Sequence, residues 1–167
     1  GILRGGDDEI DRRLRNCSEH PAGTGTTVVG AAMRTLALDA MRTLAPDPRG
    51  GGHPGEVRLD GPTFCSYAPG EYFRTHQDRS TDPRAPRPVR TRLLSIVCLL
   101  NDADPAGGLP TYDGGALVMY LPRPDGTIEP VNMRLPAGSV VVFRSDIAHE
   151  VRPVRGGLRY SAVGWLY

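Results

Sequence analysis

His76 stands two residues before Asp78, and a third candidate ligand, His149, follows far downstream. In an extended segment the two-residue spacing puts His76 and Asp78 on one face of a sheet, within reach of a common metal ion. Alone, the pair fits a polar surface equally well. His149 sharpens the pattern, because it follows the strand-like run Ser139 to Phe143 and closure of a barrel can bring it alongside the pair. Two histidines and one carboxylate make the facial ligand set of non-haem iron(II) sites, which leaves three coordination positions open. Two of these suit a chelating 2-oxo acid and one suits dioxygen.

Ten residues after His149 comes Arg159, in an otherwise apolar run with Leu158, Ala162, Val163 and Trp165. Ser161 lies on the same face by period-two alternation. Burying an unpaired guanidinium costs on the order of several kcal/mol. A carboxylate on a small anionic cosubstrate would satisfy it through a fork of two hydrogen bonds.

Short strands must carry these groups. Residues 26 to 45 hold the one strong helical pattern, with Val29, Met33, Leu36, Ala37, Ala40, Met41 and Leu44 at three- and four-residue spacing. Thr26 or Thr27 is the candidate cap, Arg34, Asp39 and Arg42 take the polar face, and Pro46 with Pro48 to Gly52 ends the helix. Downstream, the runs Thr63 to Tyr67, Thr91 to Leu100, Ala116 to Leu121, Val131 to Leu135, Ser139 to Phe143 and Leu158 to Leu166 read as strands of a sandwich or barrel. Asp113-Gly114-Gly115, Pro124-Asp125-Gly126 and Pro136-Ala137-Gly138 read as turns, each with a glycine able to take positive φ. Residues 79 to 90 and 101 to 111 read as loops at the barrel rim.

The 167 residues fit one domain, so cofactor and substrate must share a scaffold. The expected division is a single unit over 1–167, with 1–56 as a helical and irregular support and 57–167 as the core. Gly1 in place of a methionine, before a polar stretch, points to a missing upstream element. Arginine supplies all the positive charge and the net charge is only +1, which gives no basic surface for nucleic acid. No run approaches the roughly 18 apolar residues of a membrane span, and no signal peptide is visible. Cys17, Cys65 and Cys98 are odd in number and widely spaced, which suits neither a disulfide framework nor structural zinc. A soluble protein of the reducing cytoplasm is expected, and nothing sets an oligomeric state. Cys65 and Cys98, in strand-like runs, are expected in the core.

Other polar groups receive plainer readings. His20 and His53 sit in Gly/Pro-rich surroundings and are expected in solvent. Arg92 and Arg144, at strand ends, are expected to extend to water rather than to reach an acidic substrate in the mouth. Trp165 and Phe143 are expected in the core, and one of Tyr72 and Phe73 should face the site.

The chain resembles the prolyl 4-hydroxylase-like branch of the iron(II)/2-oxoglutarate oxygenase superfamily. The likeness runs from about Phe64 to Trp165, through YAPGEYFRTHQD at 67 to 78, RLLSIVCLLN at 92 to 101, GGALVMY at 114 to 120 and LPAGSVVVFRSDIAHEVRPVRGGLRYSAVGW at 135 to 165. EIDRRLRNCSEH at 9 to 20 more weakly resembles the segment after the family's first helix. The resemblance implies a mainly β fold, a double-stranded β-helix or jelly-roll, cupin-like barrel, with the N-terminal helix packed outside. His76, Asp78 and His149 match the iron ligands, Arg159 and Ser161 match the R-x-S that holds the distal carboxylate of 2-oxoglutarate, and Tyr67 matches the tyrosine facing the cosubstrate. Where the family commonly has a tyrosine two residues before Asn101, this chain has Leu99.

The implied activity consumes dioxygen and 2-oxoglutarate, releases succinate and CO2, and hydroxylates an unactivated C–H bond of an amino acid, peptidyl residue or small natural product. An intact Asp78 favours hydroxylation over halogenation. The competing readings are a non-catalytic metal-binding cupin-like barrel and a protein-directed prolyl hydroxylase acting as a regulator.

Overall fold

The computed structural model describes residues 14–20, 27–44, 58–102 and 111–167. His53, Thr26, the proline-rich stop after the helix and most of the 101–111 loop lie outside them.

Among the described residues, twelve strands and two helices follow in order: β1 (Arg15–Asn16), β2 (Ser18–His20), α1 (Thr27–Leu44), β3 (Leu59–Tyr67), β4 (Tyr72–His76), α2 (Arg87–Thr91), β5 (Leu94–Leu99), β6 (Tyr112–Gly114), β7 (Leu117–Pro122), β8 (Ile128–Met133), β9 (Val140–Arg144), β10 (Ala148–Val151), β11 (Val154–Gly157) and β12 (Arg159–Leu166). They form two five-stranded antiparallel sheets, β1-β4-β10-β7-β8 and β2-β3-β12-β5-β9, with β11-β6 as a small ladder. This is the double-stranded β-helix, mainly β, that the resemblance implies.

β5 explains the layering. Its sequence LSIVCL is buried throughout, because it pairs on both edges and is covered on both faces. Leu94, Ile96 and Cys98 pack under α1 with Met33, Ala37, Ala162 and Leu166, while Val97 and Leu99 join Tyr67, Leu117, Met119 and Phe143 between the sheets. β8, an edge strand, alternates between exposed and half-buried positions instead. The helix lies outside on β3, β5 and β9. Leu36, assigned to its apolar stripe, is 46% exposed, and Leu38 packs against the sheet in its place.

Several departures from the sequence expectations concern boundaries: β3 begins at Leu59 rather than Thr63, and β5 at Leu94 rather than Thr91. The proline-rich 79–90 loop ends in α2, where a proline in the first turn costs no hydrogen bond. The single strand expected over Leu158 to Leu166 begins at Arg159, with β11 a separate strand before it. Residues 128–130 belong to β8, which ends at Met133 rather than Leu135. Gly115, Gly126 and Gly138 take positive φ between strands, and Gly114, expected in a turn, takes it at the end of β6.

Candidate metal and cosubstrate site

His76 ends β4 and His149 sits in β10, and the two are direct register partners. The next matched pair is Val151 with Phe73, so three steps along β4 oppose two along β10. This bulge undoes strict alternation and turns Phe73 and His76 to the same side. Of Tyr72 and Phe73, the phenylalanine therefore faces the site. Its ring stacks on His76 at 3.6 Å, while Tyr72 carries the Arg74 guanidinium. Asp78 lies two residues beyond the strand, in a bend rather than an extended segment. Gln77 donates to the Asp146 carbonyl at 2.6 Å and the Arg79 amide to the Ser145 carbonyl at 2.9 Å, which fastens the bend to the β9–β10 turn.

The bend brings Asp78 Oδ1 to 3.5 Å from His76 Nε2 and Oδ2 to 3.5 Å from His149 Nε2. One ligand atom from each of the three residues falls within 4.8 Å of the others, the one such cluster among the described residues. Nδ1 of His76 lies 2.8 Å from the Arg74 carbonyl and Nδ1 of His149 lies 3.0 Å from the Ile147 carbonyl. A carbonyl only accepts, so both rings carry their proton on Nδ1 and present the Nε2 lone pair inward. His76 Nε2 is buried with no hydrogen-bond partner among the described residues, as a lone pair awaiting a cation would be.

The electrostatics favour the ligating forms. Burial raises the Asp78 carboxyl, but the two imidazoles standing against its oxygens and the Ser95 hydroxyl outweigh it and hold the group well below the usual carboxylate range. Burial pushes the His149 imidazole down, with His76 adding to it, against the pull of Asp78. An anionic carboxylate beside a neutral imidazole is a donor set for a divalent cation.

Arg159 opens β12 and is 1% exposed. Its Nη1 donates to Ser161 Oγ at 3.1 Å, and its guanidinium stands 5.2 Å from the centre of the Tyr67 ring, across the β12–β3 ladder. Its Nε and Nη2 are buried without partners among the described residues. Leu99 is the register partner of Ser161 and supplies only hydrocarbon to this pocket. The two halves of the site share one interior, since Phe143 meets the His149 ring edge-on and clusters with Leu99 and Tyr67.

Several supports were not assigned roles from the sequence. Asn101 receives the Tyr160 amide at 2.8 Å and donates to the Leu158 carbonyl at 2.7 Å, clamping both sides of Arg159. A Cβ on Gly115 would lie 2.9 Å from Arg159 Cδ, so this turn glycine makes room for the arginine as well as for the backbone. Ser95 contacts Asp78 and pairs with the buried Ser145 at 2.9 Å; a serine inside the run LSIVCL was its one visible signal. Arg144 does reach solvent and pairs with Asp146. Arg92 does not: it is buried, lies 3.8 Å above the Trp165 ring, and donates to the Asp78 carbonyl at 3.2 Å. The aromatic platform and that carbonyl hold it inward, overturning the expectation of a solvated head. His20 is exposed, with its Nε2 on Ser66 Oγ.

A cavity of about 360 Å³ opens beside the ligands, lined by Leu14, Phe73, His76, Asp78, Arg79 and Arg92 among others. No helix among the described residues is long and apolar enough to cross a membrane.

A jelly-roll barrel with two histidines and a carboxylate at one end of its interior and a buried arginine on the facing sheet is the architecture of a 2-oxoglutarate-dependent iron oxygenase. The sequence pattern of the 2OG-Fe(II) oxygenase superfamily matches residues 62–167, and the chain belongs to that family, in its prolyl 4-hydroxylase-like branch. A PKHD-type hydroxylase of Bordetella pertussis is 36% identical over 138 residues, covering 82% of this chain and 53% of the relative. One from Synechococcus elongatus is 35% identical over 103 residues, covering 62% and 41%. The chain thus spans about half the length of the curated relatives it matches. Among solved structures, a Pseudomonas putida prolyl-4-hydroxylase superposes with a TM-score of 0.62 at 28% identity, covering 93% of this chain and 74% of that one. A Trichoplax adhaerens prolyl hydroxylase, solved with a hypoxia inducible factor peptide, shares the fold at 19% identity and TM-score 0.60, covering 100% and 71%.

Proposed function

We propose that His76, Asp78 and His149 hold iron(II), that Arg159 and Ser161 hold the distal carboxylate of 2-oxoglutarate against the Tyr67 ring, and that the protein hydroxylates a C–H bond of an amino acid, peptidyl residue or small natural product. When bound, the metal with 2-oxoglutarate and dioxygen supplies the oxidising chemistry, with succinate and CO2 as coproducts. The protein's own residues position and exclude. Phe73 and Phe143 fix the two imidazole planes, the backbone carbonyls of Arg74 and Ile147 fix their tautomers, and the Gln77 and Arg79 ties fix the carboxylate. Leu99, Leu117 and Met119 keep the inter-sheet space apolar.

The observation that carries this reading is Arg159, whose buried Nε and Nη2 meet no acceptor among the described residues. A metal-binding barrel without a cosubstrate gives these groups no role, and structural metal sites are usually closed by a fourth ligand. With Leu99 opposite Ser161, the arginine and serine hold the carboxylate without a tyrosine hydroxyl from β5. The acceptor substrate takes the cavity beside the ligands, where Arg79 and Arg92 favour the polar ends of an amino acid or peptide over a hydrocarbon. On this reading residues 57–167 are the oxygenase core and 1–56 its support, in a single unit working in the cytoplasm.

The test is a screen for substrate-triggered succinate release across free amino acids, prolyl peptides and small metabolites, with the wild type beside Asp78→Ala. The expected result is stimulated release by one class and none from the variant. Equal release from both would defeat the assignment.

A further inference from the structure

The N-terminal segment crosses from one sheet to the other within six residues, since β1 pairs with β4 in the first sheet and β2 with β3 in the second. Cys17 is the residue at the crossing. In the β2–β3 register Glu19 stands opposite Cys65, which makes Cys17 and Cys65 diagonal neighbours on one face. Arg15 lies over both sulfurs, with Nε 3.0 Å from Cys17 Sγ and Nη2 3.2 Å from Cys65 Sγ. Its guanidinium is 5.0 Å from the Phe73 ring centre and pairs with Glu19 at the outer side. Two thiols on adjacent nitrogens of one buried cation form a cluster that neither the iron site nor the cosubstrate site uses.

We propose that Cys17 and Cys65 are a peroxide-reactive dithiol that closes reversibly into a disulfide across the junction of the two sheets. The Cys17 thiolate attacks one oxygen of a hydroperoxide and the O–O bond breaks, giving a sulfenic acid and releasing water or alcohol. The Cys65 thiol then displaces the sulfenic hydroxyl as water, forming the S–S bond. In total two thiols are oxidised, and the peroxide is reduced to two molecules of water, or to water and alcohol.

The cluster's electrostatics divide these roles. The hydrogen bond from Cys65, working against burial and joined by the Arg15 charge and the Arg15 and Tyr67 hydrogen bonds, pulls the Cys17 thiol down to about 6. The bond to Cys17 together with burial pushes Cys65 up, against Arg15 and with Glu19 adding to the rise. Cys17 is half-buried and Cys65 fully buried, so the attacking sulfur is the one an oxidant can reach. The hydrogen bond between the two thiols sets the sulfurs side by side, and a disulfide of about 2.05 Å closes along that line. The two- and three-residue edge strands β1 and β2 are the elements free to move as it closes. Cys98 sits on the far face of the second sheet, under α1, and serves as an internal control.

The experiment treats the full reduced chain with hydrogen peroxide at pH 7 in the presence of a chelator, then counts thiols after denaturation and maps them by mass spectrometry. Three thiols should fall to one, with a Cys17–Cys65 linked peptide and alkylated Cys98, and dithiothreitol should restore three. Retention of three thiols, or linkage through Cys98 or between molecules, overturns the proposal. In Cys65→Ser the Cys17 sulfenic acid should persist and be captured by dimedone; absence of capture counts against Cys17 as the attacking sulfur. The pH midpoint of Cys17 alkylation should lie near 6 in the wild type. It should rise in Arg15→Gln, toward an ordinary thiol, and return toward the wild-type value in Arg15→Lys. An unmoved midpoint in Arg15→Gln contradicts the role given to Arg15. No iron or 2-oxoglutarate enters these measurements, so their failure is separate from any failure of the oxygenase reading.

Discussion

The sheet that carries Arg159 has two faces with opposite characters. Toward α1, β5 and β12 contribute Leu94, Ile96, Cys98, Ala162 and Leu166, an apolar set sealed by Met33 and Ala37. Toward the other sheet, the same strands present Ser95, Leu99, Arg159 and Ser161, with two arginine nitrogens unpartnered. One face stabilises the barrel through buried area, while the other holds polar groups, of which two Arg159 nitrogens find no partner among the described residues. The proposed cosubstrate site sits on the face that folding leaves incomplete.

Substitutions on the two faces should therefore separate binding from stability. His149→Ala, which removes one of three proposed ligands, should abolish iron(II) binding in an equilibrium dialysis assay while the cooperative thermal transition survives. Met33→Ala on the opposite face should cost about 2–5 kcal/mol of stability through the cavity it leaves, read by urea unfolding, with 2-oxoglutarate affinity in the folded fraction unchanged. Arg159→Ala should weaken 2-oxoglutarate by about 1.5–3 kcal/mol, roughly ten- to a hundredfold, with iron affinity preserved. Equal loss of both ligands would dissolve the distinction between the two ends of the site. Gly115→Ala, at φ +57° and in contact with Arg159, should combine roughly 1–2 kcal/mol of backbone strain with a several-fold loss of cosubstrate affinity.

The smallest effect concerns pH. His149 is held below its ordinary 6.5, so the unfolded chain binds more protons than the folded one as pH falls from there. Stability of the metal-free protein should be fully present above about 6.5 and decline below it. His149→Gln should flatten that decline.

The candidate site residues stood out because His76, Asp78, His149 and Arg159 are unusual residues in apolar or isolated settings. The helix and the central strands were legible because their periodicity is regular over many residues. The β4 bulge was not, since it depends on the β10 partner and leaves no mark in YFRTH. β1 and β2 escaped because strands of two and three residues show no alternation. Arg92 was misassigned for a similar reason: its platform, Trp165, and its acceptor, the Asp78 carbonyl, reach it only through tertiary structure. Gly115 reads as a turn residue in sequence, and only the packed barrel reveals its contact with Arg159.

The most direct test of the central assignment is an anaerobic titration of 2-oxoglutarate into the protein with saturating iron(II), followed by visible absorption. The wild type should develop a saturable metal-to-ligand charge-transfer band, Arg159→Ala should reach it only at much higher 2-oxoglutarate, and His76→Ala should not develop it. A wild type that gives no band, or an Arg159→Ala titration that overlays the wild type, would contradict the site described.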